Sequence, residues 1–552
     1  MVKRVKVLIA LAAALVASGS VAGARAGTST VSANPSPYAT PGCAAIDAQQ
    51  TAQVSGIHNY VNSEVEPQVA VDPTDSAHVI GVWQQDRWTD GGNNGEVSAY
   101  SMDGGTSWSV VPQPFTACYT ASGYGPALDY QRSSDPWVSI GPGKPGSVCT
   151  VGTTDCSTAY SVSLMFDETD ARNGVAASAS YDGGATWQQP VPIIQDPCSG
   201  AVPGYQCNPK AFILNDKESV TADPTHPGVA YTVWDRLQAP PASAPGFFHE
   251  LAYKGPAFFS RTTDFGQTWS APQEIVTTPS IDQTIGNVIV VDPTTDTLYD
   301  FFTYIQNFSS AHGNRGETIA VIKSTDGGAS WSGPQTVAPE PSYGVSDPNN
   351  LDPSTNTAPA VLRVGSGLPE PAVNPSTGQL YVVWEGADTS LGEDVAYITT
   401  SSNGGAAWST PSIVNSSTSA PAYTPSIAVT PSGTVYVTFY QWDAATSSGA
   451  EPTVLYASKS TTSGDSQTAP GFGAQSAISG EFNGLAAPWA EGYFLGDYEG
   501  LAATSGGFVA FNVLTNCDDS PPSCSAISSV VDPTSLTPTG RNATDVYAIT
   551  GS

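Results

Sequence analysis

Positive charge is what this chain most lacks. Lys and Arg together number 18 against 49 Asp and Glu, a formal net charge of −31 across 552 residues. Such a surface repels phosphate backbones and anionic lipid headgroups, which excludes nucleic acid as a partner. Histidine is nearly as scarce, and the five (58, 78, 226, 249, 312) show no metal-ligand spacing. No D-x-D-x-D-G calcium loop, phosphate loop or G-x-S-x-G elbow occurs. No metal or other cofactor is assigned; structural calcium in a central channel is left open. Long apolar runs are also missing. The one candidate, Val7 to Val16, is too short to span a bilayer. It follows Lys3, Arg4 and Lys6 and precedes Ala24-Arg25-Ala26, so residues 1–26 read as a secretory signal peptide cut after Ala26. The mature protein is expected outside the cell, as a monomer with no membrane span.

Export permits disulfides. The eight cysteines fall as three close pairs, Cys149 with Cys156, Cys198 with Cys207 and Cys517 with Cys524. Cys43 and Cys118 are left to tie the N-terminal segment to the body. Helical periodicity is absent beyond the leader. Instead, short β-branched segments alternate with Pro- and Gly-marked turns: QVAVDP (68–73), WVSIGP (137–142), SVTADP (219–224), VIVVDP (288–293), PAVNP (371–375) and SIAVTP (426–431). A second strand usually follows each.

A second motif recurs beside them. The pattern S/T-x-D-x-G-x-x-W occurs from Ser101, Ser180, Thr262 and Ser324, and with Asn for Asp from Ser401. Its tryptophans, 108, 187, 269, 331 and 408, stand 79, 82, 62 and 77 residues apart. The acid can close a turn on amides ahead of it, the fifth-position glycine tolerates positive φ, and the tryptophan can plug the turn into apolar packing. These residues are fully employed in holding a turn, so the motif reads as scaffold. The repeated strand–turn–strand–loop–strand–turn–strand unit predicts an all-β fold, a β-propeller of four-stranded antiparallel blades. Seven blades are favoured, with six as the rival. The predicted division is signal peptide 1–26, flexible lead 27–50 and propeller 51–552, with TAQVSGI (51–57) supplying the last outer strand.

The glycine turn resembles the Asp-box, or BNR repeat, of the sialidase superfamily. That resemblance implies Asp-box turns between strands 3 and 4, on the bottom rim, and a ligand face at the other end. The residues at that end are strongly charged, in a chain of which only 12% is charged. After second strands come Asp86, Arg87, Asp235, Arg236 and Glu385. Before first strands come Glu64, Glu66, Arg132, Asp135, Asp216, Lys217, Glu218, Arg363, Glu370, Asp497, Tyr498 and Glu499. Carboxylates paired across a sugar, with arginines to clamp a carboxylated ring, suit glycoside hydrolysis.

By the same resemblance, Arg87 matches the arginine that follows strand 2 in the family, and Asp90 resembles its acid/base aspartate. Val65 stands where the family's first arginine would be. Glu218 or Glu385 could partner a tyrosine nucleophile, Tyr498 or Tyr423. The candidate catalytic set is Asp86, Asp90, Asp235, Glu218, Glu385 and Tyr498. The candidate substrate-binding set is Arg87, Arg236, Arg132, Arg363, Asp135, Asp497 and Glu499. The insertion 237–256 offers Phe247, Phe248 and His249 for stacking on a sugar. The implied function is a secreted sialidase-like exo-glycosidase acting on terminal, including acidic, sugars of a glycoconjugate. The alternative is a non-catalytic propeller that binds glycans or proteins; a polysaccharide lyase using His249 is the third reading.

Overall fold

The five tryptophan turns repeat one hydrogen-bonded geometry in a computed structural model of the chain. The model describes residues 27–31, 35–148, 156–170, 172–196, 212–239, 254–279, 281–306, 316–351, 359–418, 420–442, 452–515 and 544–552. In each turn the first-position hydroxyl accepts from the fifth-position amide at 2.9–3.0 Å. The third-position Asp or Asn accepts from the seventh-position amide at 2.9 Å. The fifth-position glycines (105, 184, 266, 328, 405) have φ between 76° and 91°, where a Cβ would be strained. Each turn joins the third and fourth strands of an antiparallel sheet.

Seven sets of four antiparallel strands occur among the described residues. The first is Asn59–Val71, Val79–Trp88, Asn93–Ser101 and Ser109–Pro112, and the second Arg132–Gly141, Thr158–Phe166, Asn173–Ser180 and Val191–Asp196. One bridge, Asn93 to Ser133, links these two sets. The third is Phe212–Ala222, Ala230–Ala239, Ala257–Thr262 and Gln273–Val276; the fourth is Asp282–Asp292, Thr297–Gln306, Gly316–Ser324 and Gln335–Pro339. The fifth is Glu370–Val373, Leu380–Asp388, Glu393–Ser401 and Ser412–Ile413; the sixth is Ala422–Val429, Val435–Trp442, Pro452–Lys459 and Ser476–Ala477. The seventh joins Gly500–Ala503, Phe508–Thr515 and Thr544–Gly551 to the N-terminal strand Gly27–Thr30. First strands touch in cyclic order, and the seventh set returns to the first.

Apolar side chains fill the spaces between sets, and the turn tryptophans fasten neighbours together. Trp331 packs on Phe259 of the preceding sheet at 5.4 Å, and Trp408 on Phe301 at 5.7 Å. Trp187 donates to Ser98 Oγ of the first sheet. Trp269 packs against the second sheet's core. Trp108 lies 4.9 Å from Phe511 of the seventh.

Two features differ from the sequence expectation. Residues Pro41–Gln53 form a helix, begun by Thr40, whose hydroxyl caps the Cys43 amide, and by Pro41, whose missing N–H costs nothing there. Residues 51–53 therefore end a helix, and the strand that completes the seventh sheet is Gly27–Thr30. The second feature is a three-stranded sheet of Val345–Leu351, Pro359–Val364 and Tyr493–Gly496, whose last two strands run parallel. The Cys43–Cys118 disulfide joins the helix to the segment Ala117–Ala121. Cys156 is also disulfide-bonded; Cys149, Cys198, Cys207, Cys517 and Cys524 lie outside the described residues, as do residues 1–26.

Candidate active site where the first strands bulge

First strands carry a shared irregularity. In five sets the pairing register slips at the same level: between Val65 and Gln68, Ser134 and Trp137, Asp216 and Ser219, Ile285 and Val288, and Tyr423 and Ser426. The first residue of each slip has positive φ: Glu66 51°, Asp135 53°, Lys217 49°, Gly286 69° and Thr424 48°. A left-handed backbone costs a non-glycine residue roughly 1–2 kcal/mol, and such strain concentrates where function demands a particular side-chain aim. Bulges serve that re-aiming.

Three of these residues meet. Lys217 Nζ reaches Glu66 Oε1 at 3.2 Å, Asp135 Oδ1 at 3.4 Å and Asp497 Oδ2 at 2.7 Å. The added parallel sheet sets Arg363 opposite Phe494. From there Arg363 Nη2 donates to Asp497 Oδ2 at 2.9 Å and its Nε to Oδ1 at 3.3 Å. Arg87 lies over the same Phe494 ring at 4.7 Å, with Arg363 at 4.5 Å. Arg87 Nη1 donates to Gln84, whose amide donates to Glu66. Tyr498 stacks at 5.2 Å on Trp137 and donates its hydroxyl to the Pro136 carbonyl. Access is graded: the Arg363 side chain is 30% exposed, Lys217 9% and Glu66 1%.

Burial sets the proton affinities here, and charge then separates them. Burial is the largest influence on Glu66 and lifts it to about 8, against the pull of Lys217. Asp135 feels the same burial, but Lys217 and a hydrogen bond from Glu66 bring it down to about 2. Asp497 is buried too, yet Arg363 and Lys217 hold it far below the usual carboxylate range. Burial would strip the Lys217 proton, and its three carboxylates instead raise its pKa well above the ordinary value. Burial pushes the Tyr498 phenol well up, so it is no phenolate at neutral pH.

The sequence-derived candidates divide into two groups. Arg87, Asp135, Arg363, Asp497 and Tyr498 come together in this cluster, and Glu218 follows Lys217 on the same bulge. The others serve as ties between elements. Asp86 accepts from Ser36 Oγ and the Asn62 amide, both at 2.8 Å; burial lifts it to about 6 despite those bonds. Arg132 lies against Trp88 and donates to Asp90 at 2.8 Å and Gln50 at 2.7 Å, joining the first two sheets to the N-terminal helix. Asp235 accepts from Thr284 Oγ1, the Gly286 amide and Asn287 Nδ2 of the fourth sheet. Arg236 makes two 2.6 Å bonds to Asp196 of the second sheet. Glu385 accepts from Ser366 and the Thr424 amide, and Glu499 from the Val513 amide. Tyr423 packs on Tyr440. Phe247, Phe248 and His249 lie outside the described residues.

Glu66 and Lys217, central to the cluster, stand in the sequence only as members of a charged level. The signal that singles them out is a fixed offset: Glu66-Pro67, Asp135-Pro136 and Thr424-Pro425 sit at one distance before their first-strand motifs, with Lys217 and Gly286 at the equivalent places.

Residues 257–358 match the family model of the BNR repeat-like domain. No curated protein matches the chain in sequence. Among solved structures, the alpha-L-arabinanase of Penicillium chrysogenum complexed with arabinobiose is similar at 13% identity and a TM-score of 0.40, over 69% of this chain and 93% of that one. The alpha-L-arabinofuranosidase of Fusarium graminearum is similar at 12% identity and 0.40, over 68% and 88%. The leech intramolecular trans-sialidase is similar at 10% identity and 0.36, over 84% and 81%.

Proposed function

We propose that this chain belongs to the BNR-repeat superfamily that includes the sialidases and is a secreted seven-bladed propeller that hydrolyses glycosidic bonds at the charged mouth of its ring. One observation carries the reading: three sheets, the added parallel sheet and the approach to the seventh sheet each deliver a charged side chain to one cluster, three of them from strained backbone. Asp235 and Arg236 tie sheets together without that strain, while Asp86, at φ 65°, carries it outside the cluster; what sets the three apart is that their side chains converge on one another.

The roles follow from the proton affinities. Paired carboxyl groups whose environments drive them apart divide into acid and base. Glu66, protonated at neutral pH, is the proton donor to a leaving sugar oxygen. Asp135 and Asp497 stay ionised and stabilise positive charge at the anomeric carbon or activate the attacking group. Lys217 keeps both aspartates charged, and Arg363, the most exposed member, meets the substrate first. Val65 still occupies the place of the family's first arginine, so a three-arginine clamp on a sialic acid carboxylate is not reproduced position for position. Exo-sialidase activity is one member of the proposed class.

The test is hydrolysis of a panel of chromogenic glycosides, sialosides and alpha-L-arabinosides included, by folded mature protein. Turnover of at least one, lost in Glu66→Gln, is expected; inactivity across the panel would overturn the reading. A second reading, a propeller that binds glycans without cleaving them, draws on the closure of the cluster by Lys217, which leaves the aspartates already paired. Retention on a glycan array without turnover is the result that favours it.

A further inference from the structure

A cavity of about 20 Å³ adjoins the charged cluster and shares Lys217 and Tyr498 with it. Its walls also include Trp137, Val288, Leu368 and Pro369, and nearly all the surface facing the space is carbon. The polar side chains of the wall are engaged elsewhere. Glu218 accepts the Leu164 amide, Asn287 donates to Asp235 at 2.7 Å, and Glu66, Asp135 and Asp497 hold the Lys217 ammonium. Burial lifts the Glu370 carboxyl, also in the wall, to about 8, so it adds no charge at neutral pH. Trp137 and Leu368 are only half-buried, which leaves a way in from solvent. A space of this size holds roughly one methyl-sized group, and water gains little in it because carbon walls offer few partners.

We propose that the cavity is a subsite for the methyl group of a 6-deoxyhexose, and that it selects which sugar is held against Glu66. The inference rests on the glycosidase reading of the cluster. The Lys217 ammonium lies 5.6 Å from the Tyr498 ring. A sugar whose anomeric carbon faces the carboxylates around Lys217 therefore reaches the cavity with a substituent of the same ring. A 6-deoxyhexose carries its methyl with no polar atom attached. The hydroxymethyl of an ordinary hexose would bury its hydroxyl against carbon, where an unpaired polar group is costly. An acetamido group is larger and would bring a carbonyl and an N–H into the same walls.

The test compares kcat/KM on nitrophenyl glycosides paired to differ only at C6: alpha-L-fucoside with alpha-L-galactoside, alpha-L-rhamnoside with alpha-L-mannoside, and beta-D-fucoside with beta-D-galactoside. In at least one pair the deoxy member is expected to exceed its partner by about 10–100-fold, the range an apolar pocket gives for one small group. Leu368→Phe, which fills the space, should remove that preference by slowing the deoxy member. Should that variant fail to fold, Val288→Leu provides the same comparison. Turnover with equal rates in every pair, or confined to glycosides outside these pairs, would overturn the subsite and spare the hydrolase. So would preference for an N-acetylhexosaminide over its parent hexoside. Calorimetric titration with the six free sugars separates the two claims. Selective binding of a deoxy sugar, lost in Leu368→Phe, without turnover of any glycoside would support the subsite while the hydrolase reading fails. Neither turnover nor deoxy-selective binding would overturn both.

Discussion

Glu66, Asp135 and Lys217 hold backbone conformations that each cost free energy, and the contacts of Lys217 with Glu66, Asp135 and Asp497 bind them to one another there. Removing the cation should expose that dependence. Lys217→Met leaves Asp135, Asp497 and Glu66 buried without their shared partner. Breaking a buried charge network in this way costs about 3–5 kcal/mol, to be read as a lower denaturant midpoint. Glu66 supplies a pH signature of opposite kind. Its carboxyl stays protonated in the native protein up to about pH 8, whereas it ionises near 4.5 when unfolded. Across that window the native state binds more protons than the unfolded chain, so this residue's contribution to stability falls as pH rises. Glu66→Gln should flatten the decline between pH 4.5 and 8; a slope equal to wild type would contradict the buried acid.

At the scale of elements, the tryptophan turn is both a local and a long-range device. Its hydroxyl, carboxylate and glycine close the turn, which the sequence alone made legible. The tryptophan reaches the preceding sheet, which sequence could not show, because the partners Phe259, Phe301 and Phe511 sit in strands with no spacing relation to the motif. Trp331→Ala should therefore cost about 2–4 kcal/mol through lost packing between the third and fourth sheets, measurable as a drop in Tm. The helix at Pro41–Gln53 was legible in principle, since Thr40-Pro41 followed by an Ala- and Gln-rich run is a helix start. Bulk composition rich in Ser, Ala, Thr and Pro concealed it. Its disulfide closes a separation of 75 residues; by loop entropy, Cys43→Ala with Cys118→Ala should cost about 4–5 kcal/mol. Denaturant unfolding checks this, and an unchanged midpoint would mean the clamp is idle.

At the scale of the molecule, the seventh sheet is completed by Gly27–Thr30, the first residues left after cleavage at the proposed signal-peptide site. Deleting residues 27–31 should open the ring and lower Tm sharply, while N-terminal sequencing of secreted protein should begin at Gly27. The repeat and its strand order followed from spacing and alternation, and the end opposite the tryptophan turns from the resemblance of the turn to the BNR repeat. The site followed less well. Arg132, Asp235 and Arg236 occupy the same charged level as Arg363 and Asp497, and only three-dimensional aim separates ties between sheets from residues facing the centre. That aim comes from the bulges and from a parallel sheet assembled by segments about 130 residues apart, neither of which leaves a periodic trace.

The central claim is that chemistry belongs to the Glu66 cluster and not to the charged level at large. The most direct measurement compares kcat/KM of wild type, Glu66→Gln and Asp86→Asn on the best glycoside of the panel. Loss of a general acid predicts a fall of about 10²–10⁴-fold for Glu66→Gln, with Asp86→Asn near wild type because its carboxyl serves the N-terminal segment. Equal activity in wild type and Glu66→Gln, or a collapse confined to Asp86→Asn, would contradict the account.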